Sequence, residues 1–165
     1  MDGWDRYDER VTAVVRRHGW FVQYVLGDTC ASPECGCAKT GQPAYAYSIG
    51  LHGLGHPELL IFGVPPETAG GVINVLGRRV RAGEILIPGE LVTFDEWTHR
   101  VRPEVVPDAE GIVLGANRYY RRPPGRSVPV LQLSYDDRAG LFPWEPGHAA
   151  PSLQPRPGTF PPPSS

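Results

Sequence analysis

Residues 44–64 read AYAYSIGLHGLGHPELLIFGV, which is two apolar segments on either side of a glycine-rich turn. The first segment, residues 44–51, alternates between two faces in the manner of a β-strand. The second segment, residues 59–64, is a continuous apolar run, which is typical of a central strand buried on both faces. Because glycines and a proline break the chain between the segments, the pattern predicts two core strands joined by a loop at one end of a sheet.

Helical patterns lie on both sides of this segment. Apolar residues recur at helical spacing over residues 5–18, where acidic side chains begin the pattern and basic ones end it. A second helix is expected to open at Pro65-Pro66 and to be closed by Gly83, with Gly70 and Gly71 allowing it to pack closely on the sheet. The remaining patterns predict a helix after residue 108 and strands at residues 20–26, 85–87, 91–97, 100–106 and 128–135.

Together these elements predict a single α+β domain over residues 1–147. The expected architecture is a mostly antiparallel sheet, or a partial barrel, of about six strands flanked by two or three helices. The 20 glycines and 19 prolines among 165 residues argue against a helical bundle, because both residue types interrupt helices. Residues 148–165 are rich in proline and poor in large apolar side chains, so we expect them to form a disordered tail.

The charge and the apolar runs exclude several classes of function. A formal net charge of −2 gives the chain no general attraction for nucleic acid or for an anionic membrane. No apolar run is long enough to span a bilayer, and the N-terminus is acidic and polar, unlike a secretory signal. We therefore expect a cytoplasmic protein with reduced cysteines, whose partner is a small molecule or another protein.

Distinctive short motifs extend over most of the chain, from about residue 19 to residue 147. They are Gly19-Trp20, Ala46-Tyr47-Ser48-Ile49-Gly50-Leu51, Gly55-His56-Pro57-Glu58-Leu59, Phe62-Gly63, Pro66-Glu67-Thr68, Pro129-Val130-Leu131-Gln132-Leu133, Asp137, Gly140 and Phe142-Pro143-Trp144. As a set, these motifs resemble the domain of unknown function 4262 family, a group of small bacterial proteins. The resemblance implies a fold and a site region but no reaction, and the family's pattern does not include the cysteine-containing segment.

Three cysteines lie within eight residues, in the pattern Cys30-x4-Cys35-x-Cys37. Turns in such a segment can bring three thiolates to one ion, and Zn²⁺ favours four tetrahedral sulfur and imidazole ligands. The fourth ligand would come from a histidine, and the candidates are His18, His52 and His56. The alternatives are three inert thiols, or a redox pair of Cys35 and Cys37, which would close a strained and very small disulfide ring.

The loop between the two core strands carries His52, His56 and Glu58. Two imidazoles and one carboxylate could form a facial triad for a divalent metal such as Fe²⁺. Alternatively, His56 could act as a general acid or base whose tautomer Glu58 fixes, which makes these two residues the candidate catalytic pair. The third alternative is structural, with His56 bonding a backbone carbonyl in a tight turn.

Aromatic and basic residues form two further candidate binding regions. Arg118 and Tyr119 lie in a basic segment that could grip a phosphate and stack on a ring, or could be the solvated end of a helix. Trp144 could line a ligand pocket together with Tyr45 or Tyr47, or could close the core as the last ordered residue. The candidate cofactor-contacting residues are therefore Tyr47, Arg118, Tyr119 and Trp144.

Three functions are consistent with these residues. The first is a small metal-binding domain, with zinc held by the cysteines and a histidine, which is an enzyme if one coordination position stays open to water or substrate. The second is a non-catalytic ligand-binding or protein-interaction module that uses the tyrosine, arginine and tryptophan side chains. The third is a flavin-dependent oxidoreductase, by similarity of residues 44–64 to strands of flavin-reductase-like split barrels.

The zinc hypothesis predicts about one equivalent of zinc in the purified, untagged protein. Cys35→Ser is expected to lower both the zinc content and the melting temperature, because a structural metal contributes directly to folding. Elemental analysis and thermal denaturation measure the two effects. Unchanged zinc content and melting temperature in the variant would count against the hypothesis. A yellow protein would favour flavin, and a colourless, metal-free protein that stays folded in EDTA would leave the ligand-binding module.

Overall fold

The computed structural model describes residues 3–27 and 42–160 of the chain. Within these residues the fold is α+β, as the sequence predicts. The helices are α1 (Gly3–His18), α2 (Pro66–Arg81) and α3 (Leu114–Tyr119), and the strands are β1 (Phe21–Val25), β2 (Tyr45–Ile49), β3 (Glu58–Phe62), β4 (Val101–Val105) and β5 (Val130–Tyr135). No helix in this part of the chain combines the length and the apolar character needed to cross a bilayer.

The strands form one open, mixed sheet in the order β1-β2-β3-β5-β4. Strands β1 and β2, β2 and β3, and β4 and β5 pair antiparallel, whereas β3 and β5 are parallel. The chain leaves β3 through α2 and passes through β4 and α3 before it returns as β5, and a parallel pair requires such a long connection. The two apolar segments of residues 44–64 thus form two adjacent inner strands, both fully buried.

Both faces of the sheet are covered by helices. On one face, Ala46 belongs to a buried cluster that includes the apolar stripe of α2. On the other face, Tyr45 and Tyr47 belong to a second buried cluster, together with Val11 of α1 and Ala116 of α3. Successive residues of a strand point to opposite faces, so β2 contributes to both clusters in alternation.

Trp20 sets the distance between α2 and the sheet. Its Nε1 donates to Asn74 Oδ1 at 2.9 Å, and a Cβ on Gly77 would come within 2.7 Å of the indole ring. A Cβ on Gly70 or Gly71 would meet nothing within 4 Å. The close approach of the helix therefore depends on Gly77, and the sequence-based expectation for Gly70 and Gly71 is wrong.

The sheet has five strands, fewer than the six or so expected, and it does not close into a partial barrel. Residues 85–87 and 91–97 form no strand, and Val92 makes one isolated bridge with Val101. Ile85 and Ile87 are largely exposed, so the apolar pattern of residues 85–87 does not correspond to burial. Gly89 follows them at a positive φ of 86° and turns the chain before a strand can pair.

Residues 148–160 pack against the domain, although their composition predicts disorder. They include a 3₁₀ helix at Pro151–Leu153. The Gln154 amide bonds both backbone groups of Tyr135, donating to its carbonyl and accepting from its N–H at 3.0 Å each. Phe160 is 8% exposed and joins the buried cluster beneath α1 and α3. These two side chains, an ion pair between Arg156 and Glu104 and a bond from Gln132 Nε2 to the Pro155 carbonyl hold the proline-rich segment in place. The last five residues lie outside the described part of the chain.

Gly77→Ala is expected to lower the free energy of unfolding by about 1–2 kcal/mol, because overlap with the Trp20 ring outweighs the gain in helix propensity. Gly71→Ala, in the same helix, is expected to raise that free energy by about 1 kcal/mol, because its site is open and alanine favours the helix. Urea denaturation of both variants measures the difference. Equal stabilities would show that Trp20 does not limit the approach of α2.

Candidate functional site

The loop that joins β2 to β3 folds around the carboxylate of Glu58, which is fully buried. Its Oε1 accepts hydrogen bonds from Ser48 Oγ at 2.8 Å and from the Leu51 N–H at 3.0 Å. Its Oε2 accepts from the Gly50 N–H at 2.9 Å and from the His52 N–H at 3.3 Å. Four donors thus converge on one carboxylate and hold the loop against the end of the sheet.

The environment of Glu58 shifts its proton affinity. Burial raises the pKa of Glu58 to about 7, and the four hydrogen bonds to the carboxylate oppose that rise. Across the loop, Tyr120 Oη accepts the Gly53 N–H at 3.0 Å. Burial of Tyr120, together with the charge of Glu58, raises the pKa of this phenol to about 12. The carboxyl group therefore titrates near neutral pH while the phenol stays protonated.

His56 is buried, and the backbone engages both of its ring nitrogens. Nδ1 lies 2.8 Å from the Pro57 carbonyl oxygen, and Nε2 accepts the Leu86 N–H at 3.1 Å. Because a carbonyl only accepts, Nδ1 carries the proton and the tautomer is fixed. Glu58 bonds residues 48–52 instead, so the expected bond between His56 and Glu58 is not formed. The structural alternative, a bond from His56 to a backbone carbonyl, is the arrangement observed.

The three side chains expected to form a facial triad are directed to different partners. The His52 ring packs edge-on against Tyr120 with 4.8 Å between centroids, whereas His56 and Glu58 bond the groups described above. Glycines in the loop allow this divergence, because they break the helical geometry that would align the side chains. Among the described residues, no group of three or more His, Cys, Asp or Glu side chains is arranged to hold a metal ion.

The predicted zinc ligands Cys30, Cys35 and Cys37 lie outside the described residues, and zinc binding stays a prediction. The ends of their segment are described: Gly27 lies against the backbone of residues 42–44, where β1 ends and β2 begins. His18 and His52 lie at the opposite ends of these five-residue strands, roughly 13 Å away at the usual rise per residue. A shared ion with either histidine would require the cysteine segment to extend back along the strands.

A pocket of about 630 Å³ opens between α1, α3 and the neighbouring strands β1 and β2. The residues that define this aromatic pocket are Trp4, Tyr7, Gln23, Tyr47 and Gly115. Trp4 is 55% exposed, whereas Tyr47 is 3% exposed, so the aromatic wall extends from the surface to the core.

Two hydroxyl groups and one amide provide the polar atoms of the aromatic pocket. Tyr47 Oη accepts the Gly115 N–H at 2.8 Å, and the hydroxyls of Tyr47 and Tyr7 are hydrogen-bonded to each other. Burial raises the pKa of both tyrosines, so both stay protonated at neutral pH. Gln23 Nε2 donates to the Tyr24 carbonyl at 2.9 Å, and Gln23 Oε1 is buried without a hydrogen-bond partner among the residues that the structure describes.

Arg118 lies beside the aromatic pocket and Tyr119 does not. The Arg118 guanidinium stacks over the Trp4 ring at 4.6 Å and forms two hydrogen bonds of 2.9 Å with the Asp8 carboxylate. Tyr119 packs against the buried cluster and edge-on against Tyr120. Of the predicted contact residues, the structure therefore brings Tyr47 and Arg118 to one region.

Trp144 does not line the aromatic pocket. It stacks on Phe142 with 4.9 Å between centroids, and the Arg156 guanidinium lies 4.6 Å from its ring centre. Because Trp144 is 41% exposed and Phe142 only 3% exposed, Phe142 takes the core position. The expected pocket shared by Trp144 and Tyr47 is thus not formed.

The sequence motifs do not identify Trp4, Tyr7 and Gln23 as pocket residues. Tyr7 fits the apolar periodicity of residues 5–18, which does not distinguish a pocket residue from a core residue. Gln23 carried a usable signal, because it is the one polar residue in the apolar run of residues 20–26. A polar residue that breaks a local pattern often marks a functional site.

Residues 14–149 match the family described as Domain of unknown function (DUF4262), and the chain belongs to this family. The match confirms the resemblance drawn from the short motifs. It includes Gln23, Tyr47 and Gly115 of the aromatic pocket, whereas Trp4 and Tyr7 precede the matched residues. No curated protein and no solved structure matches the chain.

Glu58 is expected to make stability depend on pH. Its folded-state pKa is raised from 4.5 to about 7, so the folded protein binds this proton more tightly than the unfolded chain does. The corresponding stability is present below about pH 4.5 and is lost as the pH rises through about 7, a change on the order of 3 kcal/mol. Urea denaturation across this range should show the decline in the wild type and in Glu90→Gln, an exposed control, but not in Glu58→Gln.

A measurement on the wild-type protein avoids any loss of folding in the variant. The carboxyl carbon resonance of Glu58 should titrate with a midpoint near 7. A midpoint at the ordinary glutamate value would contradict the effect attributed to burial.

Proposed function

We propose that this domain is a ligand-binding module, and that a small planar molecule with an N–H donor occupies the aromatic pocket. The observation that supports this proposal most directly is Gln23 Oε1, a buried oxygen without a hydrogen-bond partner on a residue that lines the pocket. An unpaired buried acceptor costs about 1–3 kcal/mol, and a ligand N–H would satisfy it.

The Tyr7 hydroxyl supplies a complementary donor. Burial raises the pKa of both tyrosines, and the bond between their hydroxyls opposes that rise for Tyr7 and adds to it for Tyr47, which is the pattern for Tyr47 donating and Tyr7 accepting. The Tyr7 proton is then left for a ligand. A Cβ on Gly115 would overlap the Tyr7 hydroxyl, so the glycine keeps this chain of hydroxyls intact. A ring in which an N–H adjoins a carbonyl, as in a lactam, would donate to Gln23 Oε1 and accept from the Tyr7 hydroxyl.

The aromatic wall favours a planar and uncharged ligand. Trp4 and Tyr7 meet edge-on with 5.8 Å between centroids, and together with Tyr47 they form an aromatic wall against which a planar molecule can pack. The Arg118 guanidinium already covers one face of Trp4 and is paired with Asp8, which reduces its attraction for a ligand anion. Shape and hydrogen bonding, more than charge, would therefore select the ligand.

Flavin binding stays an alternative that rests on the similarity of residues 44–64 to split-barrel strands, and the open sheet adds no support to it. Zinc binding by Cys30, Cys35 and Cys37 is a second, independent proposal, supported by three thiols within eight residues. With both ring nitrogens of His56 engaged by the backbone, His18 or His52 is the histidine available as the fourth ligand.

Binding of 2-pyridone, a planar ring with an N–H beside a carbonyl, tests the aromatic pocket. Gln23→Met removes the acceptor and Tyr7→Phe removes the donor, and each is expected to weaken binding by about 3- to 10-fold. Tyr24→Phe, which removes a hydroxyl on the opposite face of β1, is the matched control and should bind like the wild type. NMR titration measures all four affinities.

N-Methyl-2-pyridone lacks the N–H and is expected to bind the wild-type protein more weakly than 2-pyridone by a similar factor. Equal affinity for the two compounds, or no saturable shift of the Tyr7 and Gln23 signals with either, would contradict the proposal.

A further inference from the structure

A second cavity, of about 640 Å³, lies between the start of α2, the end of β5 and residues 147–154. It shares no lining residue with the aromatic pocket. Two histidines line it, His99 and His148, and we term it the imidazole cavity. The two rings present opposite hydrogen-bonding groups.

His99 offers an acceptor. Its Nδ1 lies 2.6 Å from the backbone oxygen of Asp136 and 3.3 Å from the Oδ1 of the same residue. Both oxygens accept, so Nδ1 carries the proton, and in the neutral imidazole Nε2 keeps its lone pair. Asp136 accepts two further bonds from Arg100, at 2.9 Å from the backbone N–H and at 2.7 Å from Nε. Burial alone would raise the pKa of Asp136, but the bonds from Arg100 and His99 outweigh it and lower that pKa.

His148 offers a donor. Its Nδ1 accepts the Ala150 N–H at 3.1 Å, so Nε2 carries the proton. This Nε2 is buried and makes no hydrogen bond. The neighbouring segment is fixed by Asp137, whose carboxylate accepts the Leu141 and Ala149 N–H groups at 2.9 Å each. The donor is therefore held in place without a partner of its own.

An aromatic wall completes the cavity. The Trp97 ring lies 5.0 Å from the His99 ring and 5.6 Å from the Tyr135 ring, centroid to centroid. Tyr135 Oη is used in a bond of 2.9 Å to the Phe62 carbonyl, so this residue contributes its ring and not its hydroxyl. A flat ligand can pack on this wall while its polar group faces the imidazoles.

We propose that the imidazole cavity is a second ligand site, for a small uncharged aromatic compound whose polar group has both a carbonyl oxygen and an N–H or O–H. A small movement of the His148 ring brings its buried Nε2–H to the ligand carbonyl, His99 Nε2 accepts from the N–H or O–H, and the ligand ring packs on Trp97. A carboxylate fits this cavity poorly, because Asp136 and Asp137 also line it and His99 presents a lone pair. This site is independent of the aromatic pocket and of the function proposed for it.

Benzamide, an aryl ring with a primary amide, is the probe for this site. NMR titration of the wild-type protein should give saturable shifts at Trp97 and His148 at about millimolar concentration, as expected for a ligand of this size. N,N-Dimethylbenzamide, which keeps the carbonyl but has no N–H, should bind at least about fivefold more weakly, and so should benzoate. Equal affinity for benzamide and its dimethyl derivative, or tighter binding of benzoate, would overturn the proposal.

Variants assign the two polar contacts. His99→Phe and His148→Phe keep a ring and remove the polar atom, and each should weaken benzamide binding at least about fivefold. Gln23→Met, in the aromatic pocket, should leave the shifts at Trp97 and His148 unchanged. Loss of those shifts in Gln23→Met, or wild-type affinity in both histidine variants, would overturn the proposal. The comparison of the two amides uses the unmodified protein, so it decides the matter even if a histidine variant does not fold.

Discussion

The Glu58 carboxylate organises the connection between the two inner strands. Buried amide groups need partners, and in this loop the partner of three successive N–H groups is one side chain. Ser48 adds a fourth donor and also accepts the N–H of Leu59, so it ties the carboxylate to β3. A buried carboxylate is tolerated only where hydrogen-bond donors surround it. Here the backbone N–H groups of residues 50–52, which would otherwise be buried without acceptors, are the donors that solvate the Glu58 carboxylate. In this chain, the main role of the motif of residues 46–59 is therefore to fold the loop between β2 and β3.

The fold could be predicted from sequence as far as local patterns determine it. Periodicity located α1, α2 and the strands of the sheet, because burial imposes a repeat on the side chains. It failed at residues 85–87, whose isoleucines look like a strand but face solvent, since an apolar run does not reveal whether a partner strand is adjacent. Composition also failed at residues 148–160, because specific side-chain contacts of Gln154, Arg156 and Phe160 anchor a segment whose average composition indicates disorder.

The candidate site was harder to predict, for a physical reason. Sequence spacing shows which residues share a loop, but not which way their side chains point. His56 and Glu58 are close in sequence, yet one bonds the backbone around Leu86 and the other bonds residues 48–52. Conversely, Tyr47 and Trp4 are far apart in sequence and line one pocket because α1 packs against β1 and α3. Within the described residues, two buried side-chain atoms lack a hydrogen bond, Gln23 Oε1 and His148 Nε2, and each belongs to a residue lining a different cavity. Such orphaned atoms are uncommon in native proteins and call for an explanation.

The packing of the C-terminal segment affects where the domain can be cut. The residues shared with the family end at 149, whereas Gln154 and Phe160 still contribute hydrogen bonds and buried surface to the sheet. A recombinant fragment trimmed to the family boundary would leave an apolar cleft over Tyr45 and Phe62, both of which contact the Phe160 ring. A fragment that ends at the family boundary would thus be prone to aggregate. A fragment for crystallisation should end at or beyond residue 160.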